Sequence, residues 1–432
     1  MYTSDMILYR NSKFQGLLDD FSWISENYNN NYMDVESLRS LLYQNMNKLI
    51  ELSEAYGIKG NLWHGFLALF IADNENAFSI ANEISGDAAG TIQQIAENDF
   101  RIFKRLFDYD FKKLETTLGV PILSLLKNYE SHNSKRGILD RQIRDGINQF
   151  AEDLFAAGDA KAFAKVVVSF YKKFGAGKFG LHKAFRVIHQ DGEAVIEPIT
   201  NTETICLSDL IGYERQKEKL MANTEAFIKG RAANNVLLFG DSGTGKSSAI
   251  KAILNEYQNR GLRIIEVYKH QFQDLINIIA KIQNRNYKFI IYMDDLSFED
   301  FESEYKYLKA VIEGGLGKKP DNVLIYATSN RRHLIREKFS DKKDISDELH
   351  NNDTVQEKLS LVARFGITIY FGAPDYKEFK KIVQQLAKRY HIIIEEEELY
   401  ALANKWELIH GGLSGRTAMQ FITYLLGERD NE

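Results

Sequence analysis

Gly240-Asp241-Ser242-Gly243-Thr244-Gly245-Lys246-Ser247 satisfies the pattern G-x-x-x-x-G-K-[ST] at every fixed position. Its flanks have the character such a loop requires. Val236-Leu237-Leu238-Phe239 reads as a short buried strand, and the stretch from Ser248 to Leu254 reads as a helix. Glycines let the backbone turn tightly and aim successive N–H groups inward as an anion nest. Lys246 has the reach for β and γ phosphates, and the Ser247 hydroxyl can ligate Mg²⁺. The helix start at Ser248 adds a favourable dipole for the same phosphates. Residues 240–248 are therefore expected to hold a nucleotide with Mg²⁺. The bland alternative is a glycine-rich turn with an incidental lysine.

A second stretch, Gly175-Ala176-Gly177-Lys178, imitates this loop. It has Phe179 where the hydroxyl residue belongs, and residues 162–171 before it read as a helix rather than a strand. Gly175 is then a helix C-cap, and no nucleotide is expected there.

With 432 residues, the length points to about three domains. A hydrophobic content of 44% and 12% aromatics suffice for real cores, and 4 prolines argue against long disordered linkers. The single Cys206 excludes an internal disulfide and fits a reducing cytosol. The 9 histidines are scattered without paired Cys/His spacing, so no zinc site is visible. The first residues lack a basic region leading into an apolar core, so no signal peptide is expected. The longest apolar stretch, 62–72, is shorter than the roughly 18 residues that span a bilayer. These features together predict a cytoplasmic protein with no membrane partner. A net charge of -5 is not the footprint of a protein that coats nucleic acid.

Residues up to about 200 look mostly helical. Leu38, Leu41, Leu42, Met46 and Leu49 fall at helical spacing, between Asp34 as N-cap and Gly57 as stop. Further helical stretches cover 87–107 and 147–174. Asp191-Gly192 between short apolar runs suggests a hairpin. From Leu207 onward the pattern alternates strand and helix. Candidate strands are 236–239, 262–267, 289–293, 323–327 and 367–371. Short apolar strands separated by helix-length segments predict a parallel sheet covered on both faces. Pro374 marks a boundary, and residues 375–432 read as helices only.

The strand at 289–293 ends in Asp294-Asp295. The first carboxylate can hold the Mg²⁺ shell beside the loop lysine. The second can orient and deprotonate a water. The competing reading is a helix N-cap, with the helix starting at Leu296-Ser297-Phe298-Glu299.

In this order the motifs resemble the AAA+ ATPase superfamily over about residues 205–432. Ala327-Thr328-Ser329-Asn330 ends the fourth strand, and Asn330 matches the family's sensor 1, which contacts the γ-phosphate or the water. Leu361-Val362-Ala363-Arg364-Phe365-Gly366 is similar to the segment carrying the arginine finger, so Arg364 matches that role. Gly412-Leu413-Ser414-Gly415-Arg416-Thr417 resembles the sensor 2 motif, placing Arg416 at the nucleotide. Leu210-Ile211-Gly212-Tyr213 resembles the segment that packs on adenine, through Ile211 and Gly212. In isolation, Asn330 is a turn residue, Arg364 a surface ion pair and Arg416 a helix cap. More narrowly, the stretches 234–238 and 327–334 resemble a bacterial AAA+ family without an assigned substrate.

The resemblance implies an α/β fold: an AAA+ parallel five-stranded sheet core at 205–373 with a C-terminal helical lid at 374–432. A mostly α-helical N-terminal domain, 1–204, precedes it. The implied cofactors are ATP and Mg²⁺, with Ser247 and Asp294 on the metal and Asp295, Asn330 and Arg364 catalytic. One departure stands out. The family usually has Asp-Glu where this chain has Asp294-Asp295, so hydrolysis is expected to be slow, to use Glu299, or to proceed through a shifted water.

The expected function is an ATPase of homo-oligomeric AAA+ type that remodels or loads a protein partner held by the N-terminal domain. Alternatives are an ATP-dependent switch or scaffold without turnover, and a nucleic-acid remodelling ATPase of helicase-loader type, which the acidic balance disfavours. A threading unfoldase is disfavoured because Tyr268-Lys269-His270-Gln271-Phe272 leaves little room for a projecting loop and contains no glycine. The basic run Arg331, Arg332, Arg336, Lys338, Lys342 and Lys343 reads as a solvated loop, with a subunit contact as the other possibility.

Overall fold

The spacing of apolar residues after Asp34 produces the helix it predicts. In the computed structural model that helix spans Val35–Tyr56; the Asp34 side chain accepts the N–H groups of Glu36 and Ser37, and Gly57 ends it at φ 70°. The structure describes residues 3–30, 32–86, 90–130, 138–298, 304–313, 320–330 and 361–429. Glu299 and the basic run from Arg331 to Lys343 lie outside the described residues. The chain divides into two compact units, Met1–Lys183 and Ala184–Glu432, a division earlier than residue 204.

The first unit is built from α1 (Gln15–Asn27), α2 (Val35–Tyr56), α3 (Leu62–Asp73), α4 (Ala77–Ser85), α5 (Thr91–Phe107), α6 (Lys112–Leu118), α7 (Arg141–Ala156), α8 (Ala160–Phe174) and α9 (Gly177–Leu181). The apolar stretch at 62–72 becomes α3, and its residues from Phe66 to Ala72 are all buried. A helix apolar on every side belongs in the centre of a bundle. The single helical stretch expected at 147–174 is instead two helices, α7 and α8. Gly158 interrupts it, and the Asp159 carboxylate caps α8 by accepting the Ala162 N–H. Gly175 ends α8 at φ 85°, as its place in the sequence predicts, and the imitation loop continues into α9.

The second unit opens with a hairpin, β1 (Ala184–Gln190) and β2 (Glu193–Pro198). Its turn residues Asp191 and Gly192 both have positive φ, 52° and 83°. That is the twist two-residue hairpins favour. After α10 (Glu214–Ile228) come β3 (Val236–Gly240), α11 (Lys246–Tyr257), β4 (Leu262–Glu266), α12 (Leu275–Ile282), β5 (Lys288–Met293), α13 (Glu304–Glu313), β6 (Val323–Ser329) and β7 (Ile367–Phe371). The C-terminal helices α14 (Tyr376–Arg389), α15 (Glu396–His410) and α16 (Gly415–Arg429) share their own apolar cluster around Phe379, Val383, Phe421 and Ile422.

The expected five-stranded sheet is corrected to seven strands, in the order β2-β1-β4-β5-β6-β3-β7. The five anticipated strands pair in parallel, and β1 adds to the edge of β4 through Ala184↔Ile264 and Phe185↔Ile265. An uncovered β4 would expose a row of unpaired backbone groups, and the hairpin covers it. Sequence periodicity revealed the hairpin but not its partner, because register depends on which edge is free. The segment after β4 forms a 3₁₀ turn, Lys269–Asp274, pinned by Gln271, which donates to the Val187 carbonyl. No helix among the described residues is long and apolar enough to cross a membrane.

Candidate nucleotide site

The strand order places β3 between β6 and β7, so the loop leaving its C-terminal end faces the ends of β5 and β6. Gly240 ends β3 at φ 135°, and a Cβ there would lie 2.1 Å from the Phe371 carbonyl oxygen. Only glycine fits. Asp241 then ties the loop to β7: its backbone N–H donates to Phe371 O at 3.0 Å, and its carboxylate accepts the Ala373 N–H at 2.7 Å. Gly243 and Gly245 have φ of 75° and 91°, and Gly245 opens α11. The Lys246 side chain is buried and donates to the carbonyls of Gly240 (3.0 Å) and Asp241 (2.6 Å). Burial pushes its pKa down, against the opposing pull of Asp241, Asp295 and Asp294.

Across from the loop, the Ser247 hydroxyl donates to Asp294 Oδ1 at 2.7 Å. The Thr328 hydroxyl donates to the same oxygen. Burial opposes the Asp294 charge, but hydrogen bonds from Thr328 and Ser247 outweigh it and hold the carboxyl below its usual range. Asp295 adopts φ 48°, outside the strand conformation; its N–H donates to Thr328 Oγ1 at 2.9 Å. Its Oδ1 accepts the Asn330 amide at 2.8 Å. Residues 296–298 do not form a helix, so this pair of acids is not followed by the helix that the N-cap reading requires.

These groups line one cleft of about 850 Å³. Residues Ser242 to Ser248, Asp294, Asp295, Asn330, Ile211 and Arg416 all face it. Arg416 also donates its backbone N–H to the Gly243 carbonyl at 3.2 Å, which joins the start of α16 to the loop. The apolar end is walled by Ile205, Leu210, Tyr213, Ile382, Leu386 and Met419. Gly212, at φ 82°, supplies the turn between Ile211 and Tyr213. Arg364 is not part of the cleft lining; it pairs with Glu313 at the end of α13.

Two residues of this constellation are given no role by the sequence reading. Thr328 is a polar side chain on a strand whose residues are all buried, which is the signal that could have found it. Tyr292 lies on β5, two residues before Asp294, which follows the strand's last residue, Met293. Burial pushes its pKa well up, so its hydroxyl keeps its proton.

The donor set suits magnesium. Among the described residues no three His, Cys, Asp or Glu side chains gather to hold an ion. Where the loop meets the end of β5, the cleft offers the Ser247 hydroxyl and the Asp294 carboxylate together, hard oxygen donors of the kind Mg²⁺ takes when phosphates and waters complete its shell. The loop glycines are packed closely by the protein itself: a Cβ at Gly243 would lie 2.8 Å from Ser414 Oγ and one at Gly245 3.0 Å from Leu210 Cδ2.

The family model described as "Protein of unknown function (DUF815)" matches residues 181–429. The replication factor C large subunit of Methanococcus vannielii is 43% identical over 51 residues, which are 12% of this chain and 10% of that protein. The match therefore spans a tenth of that curated relative. Among solved structures, the RuvB Holliday junction branch migration motor of Thermotoga maritima is 18% identical with a TM-score of 0.36. That likeness covers 51% of this chain and 63% of RuvB, less than two thirds of its length. The FIGL-1 AAA domain in complex with ADP is 20% identical over 52% of this chain and 73% of that one, with a TM-score of 0.35.

Proposed function

We propose that this chain, which belongs to the DUF815 family whose model matches more than half of it, and whose phosphate loop, acidic strand end and parallel strands follow the AAA+ pattern, binds ATP with Mg²⁺ and hydrolyses the β–γ bond to drive change in a protein partner. The observation that carries this reading is the hydrogen bond between Ser247 and Asp294 beside a buried Lys246. It brings the loop hydroxyl and the strand-end carboxylate of two separate motifs to one point.

In this reading the loop N–H groups and Lys246 bind the β and γ phosphates, and Ser247 and Asp294 hold the cation. Magnesium supplies charge neutralisation on the phosphate oxygens. Asp295 accepts a proton from the attacking water, whose oxygen bonds to the γ-phosphorus as the bond to the bridging oxygen breaks, leaving ADP and phosphate. Asn330 orients Asp295 and the water. Ile211, Gly212 and the apolar end of the cleft hold adenine, and Arg416 brings the lid helix to the phosphates. Arg364 acts on the nucleotide of a neighbouring copy, which accounts for its absence from its own cleft. The helical unit Met1–Lys183 is assigned to holding the partner.

Calorimetric titration of ATP into Lys246→Ala tests the site. Affinity falls by more than roughly tenfold, because a charge-assisted phosphate contact in a partly desolvated site is lost. Unchanged affinity refutes the assignment.

A second reading has its own observation. The Asp295 carboxylate is shorter than the usual glutamate and is already engaged by Asn330. That arrangement suits a nucleotide-dependent switch with little turnover. Steady-state ATPase activity, measured with and without single-stranded DNA over a range of protein concentrations, separates the switch, the remodelling ATPase and the nucleic-acid motor.

A further inference from the structure

The lid is joined to the sheet by a short link. Strand β7 ends at Phe371, and Asp375 caps α14 by accepting the Glu378 N–H. Gly372, Ala373 and Pro374 lie between them, so the backbone angles of these residues set how the lid stands against the sheet.

One peptide group of that link is held from both sides. Its carbonyl, on Gly372, accepts the Tyr213 hydroxyl at 2.7 Å. Its N–H, on Ala373, donates to the Asp241 carboxylate at 2.7 Å. Asp241 is the second residue of the phosphate loop, and Tyr213 lines the apolar end of the cleft. Two ends of the candidate nucleotide site therefore meet on a single hinge peptide. Both holders are anchored beside it. The Asp241 N–H donates to the Phe371 carbonyl at 3.0 Å, and the Tyr213 ring packs on Phe371 with centroids 5.1 Å apart. Burial pushes the Tyr213 pKa up to about 12, so its hydroxyl stays a donor at neutral pH.

The charge on Asp241 is otherwise out of place, since a carboxylate beside a phosphate site repels the ligand. An apolar residue at 241 would avoid that repulsion but leave the Ala373 N–H without this partner. Beyond the link, α16 begins at Gly415 and carries Arg416 into the same cleft.

We propose that Asp241 and Tyr213 are positioning residues for Arg416: by clamping the Gly372–Ala373 peptide they fix the lid at the angle that brings the Arg416 guanidinium to the phosphates. This rests on the reading of the cleft as the ATP site with Arg416 at its phosphate end.

The test titrates ATP with Mg²⁺ calorimetrically into the full chain carrying Asp241→Asn, Asp241→Ala or Tyr213→Phe, each with and without Arg416→Ala. Asparagine removes the charge but keeps an oxygen for Ala373, so it is the reference for alanine. Asp241→Ala is expected to bind ATP roughly three- to tenfold more weakly than Asp241→Asn, the scale of one hydrogen bond. Tyr213→Phe, which keeps the ring, shows a loss of the same size against the parent. In the Arg416→Ala background both losses vanish, because no guanidinium is left to place. Equal affinities within either comparison overturn the proposal and leave the nucleotide site standing. Losses that persist undiminished without Arg416 show that the two residues act on the loop or the base directly, and also overturn it. Parent-like ATP binding by Arg416→Ala beside weakened binding by Lys246→Ala removes the lid contact, and the proposal with it. Unchanged affinity in Lys246→Ala refutes the cleft itself and all that rests on it.

Discussion

The Thr328 hydroxyl donates to the Asp294 carboxylate while accepting the Asp295 backbone N–H at 2.9 Å, so one side chain of β6 holds both acids at the end of β5. The Leu296 N–H adds a bond to the Thr328 carbonyl at 2.7 Å, and the chain is pinned just past the acids. Asp295 is thereby kept at its positive φ, a conformation that non-glycine residues rarely adopt without such support.

Replacing Thr328 by valine keeps the shape and removes both hydrogen bonds. Thr328→Val is expected to lose about 1–3 kcal/mol of stability in urea unfolding, since two hydrogen bonds, one of them to the Asp294 carboxylate, are lost together. It should also raise the Mg²⁺ requirement for ATP binding. Thr328→Ser, which keeps the hydroxyl, recovers most of both. Parent-like behaviour of the valine variant would remove Thr328 from the site.

Asp295→Asn preserves size and the contact with Asn330 but abolishes the base. ATP binding is retained, and steady-state hydrolysis falls by about a hundredfold, the lower end of what a positioned general base contributes. Equal hydrolysis by variant and parent moves the base elsewhere, with Glu299 the next candidate, or marks the parent as a switch.

Arg364 is held by Glu313 on its own chain and stands outside its own cleft. If it serves a neighbour, specific ATPase activity rises with protein concentration. Arg364→Ala then lowers turnover by roughly 10³-fold, in line with arginine fingers elsewhere, without weakening ATP binding. Mixing Arg364→Ala with Lys246→Ala partly restores activity, because one copy supplies the finger and the other the loop. Flat specific activity from nanomolar to micromolar protein, with no recovery on mixing, leaves Arg364 as a local ion pair.

His64, on α3, has a ring nitrogen 2.9 Å from the Phe107 carbonyl, and burial pushes its pKa below the usual value. Above about pH 6.5, the ordinary histidine value, both folded and unfolded forms are neutral and its contribution to stability is complete. As the pH falls through that value the unfolded chain takes up the proton first, and stability declines until the folded form is protonated too. Thermal unfolding followed by tryptophan fluorescence should show a melting temperature that drops between pH 7 and pH 5.5. In His64→Gln, which can still donate to Phe107, the drop is smaller. Identical pH profiles would show that His64 stays neutral in neither state preferentially.

The phosphate loop was legible as a string because its requirements are local. Glycines at φ 75° and 91°, a lysine one residue on and a strand before are all consequences of sequence neighbours. The helix between Asp34 and Gly57 was legible for the same reason, since its caps and apolar stripe lie within it. The break at Gly158 was missed because the apolar spacing runs across it on either side.

The residues themselves determined the five parallel strands, the loop, the acidic strand end, and the order of Asn330, Arg364 and Arg416 behind them. Only the tertiary structure decided that the hairpin joins β4 to make seven strands, that Thr328 ties both acids, that Tyr292 buries its hydroxyl beside Asp294, and that Arg364 turns to Glu313. The reason is one of range. Helix caps, strand periods and loop glycines act over a few residues along the chain, whereas a sheet edge or a shared carboxylate is made by residues tens of positions apart, which meet only when the sheet order is set.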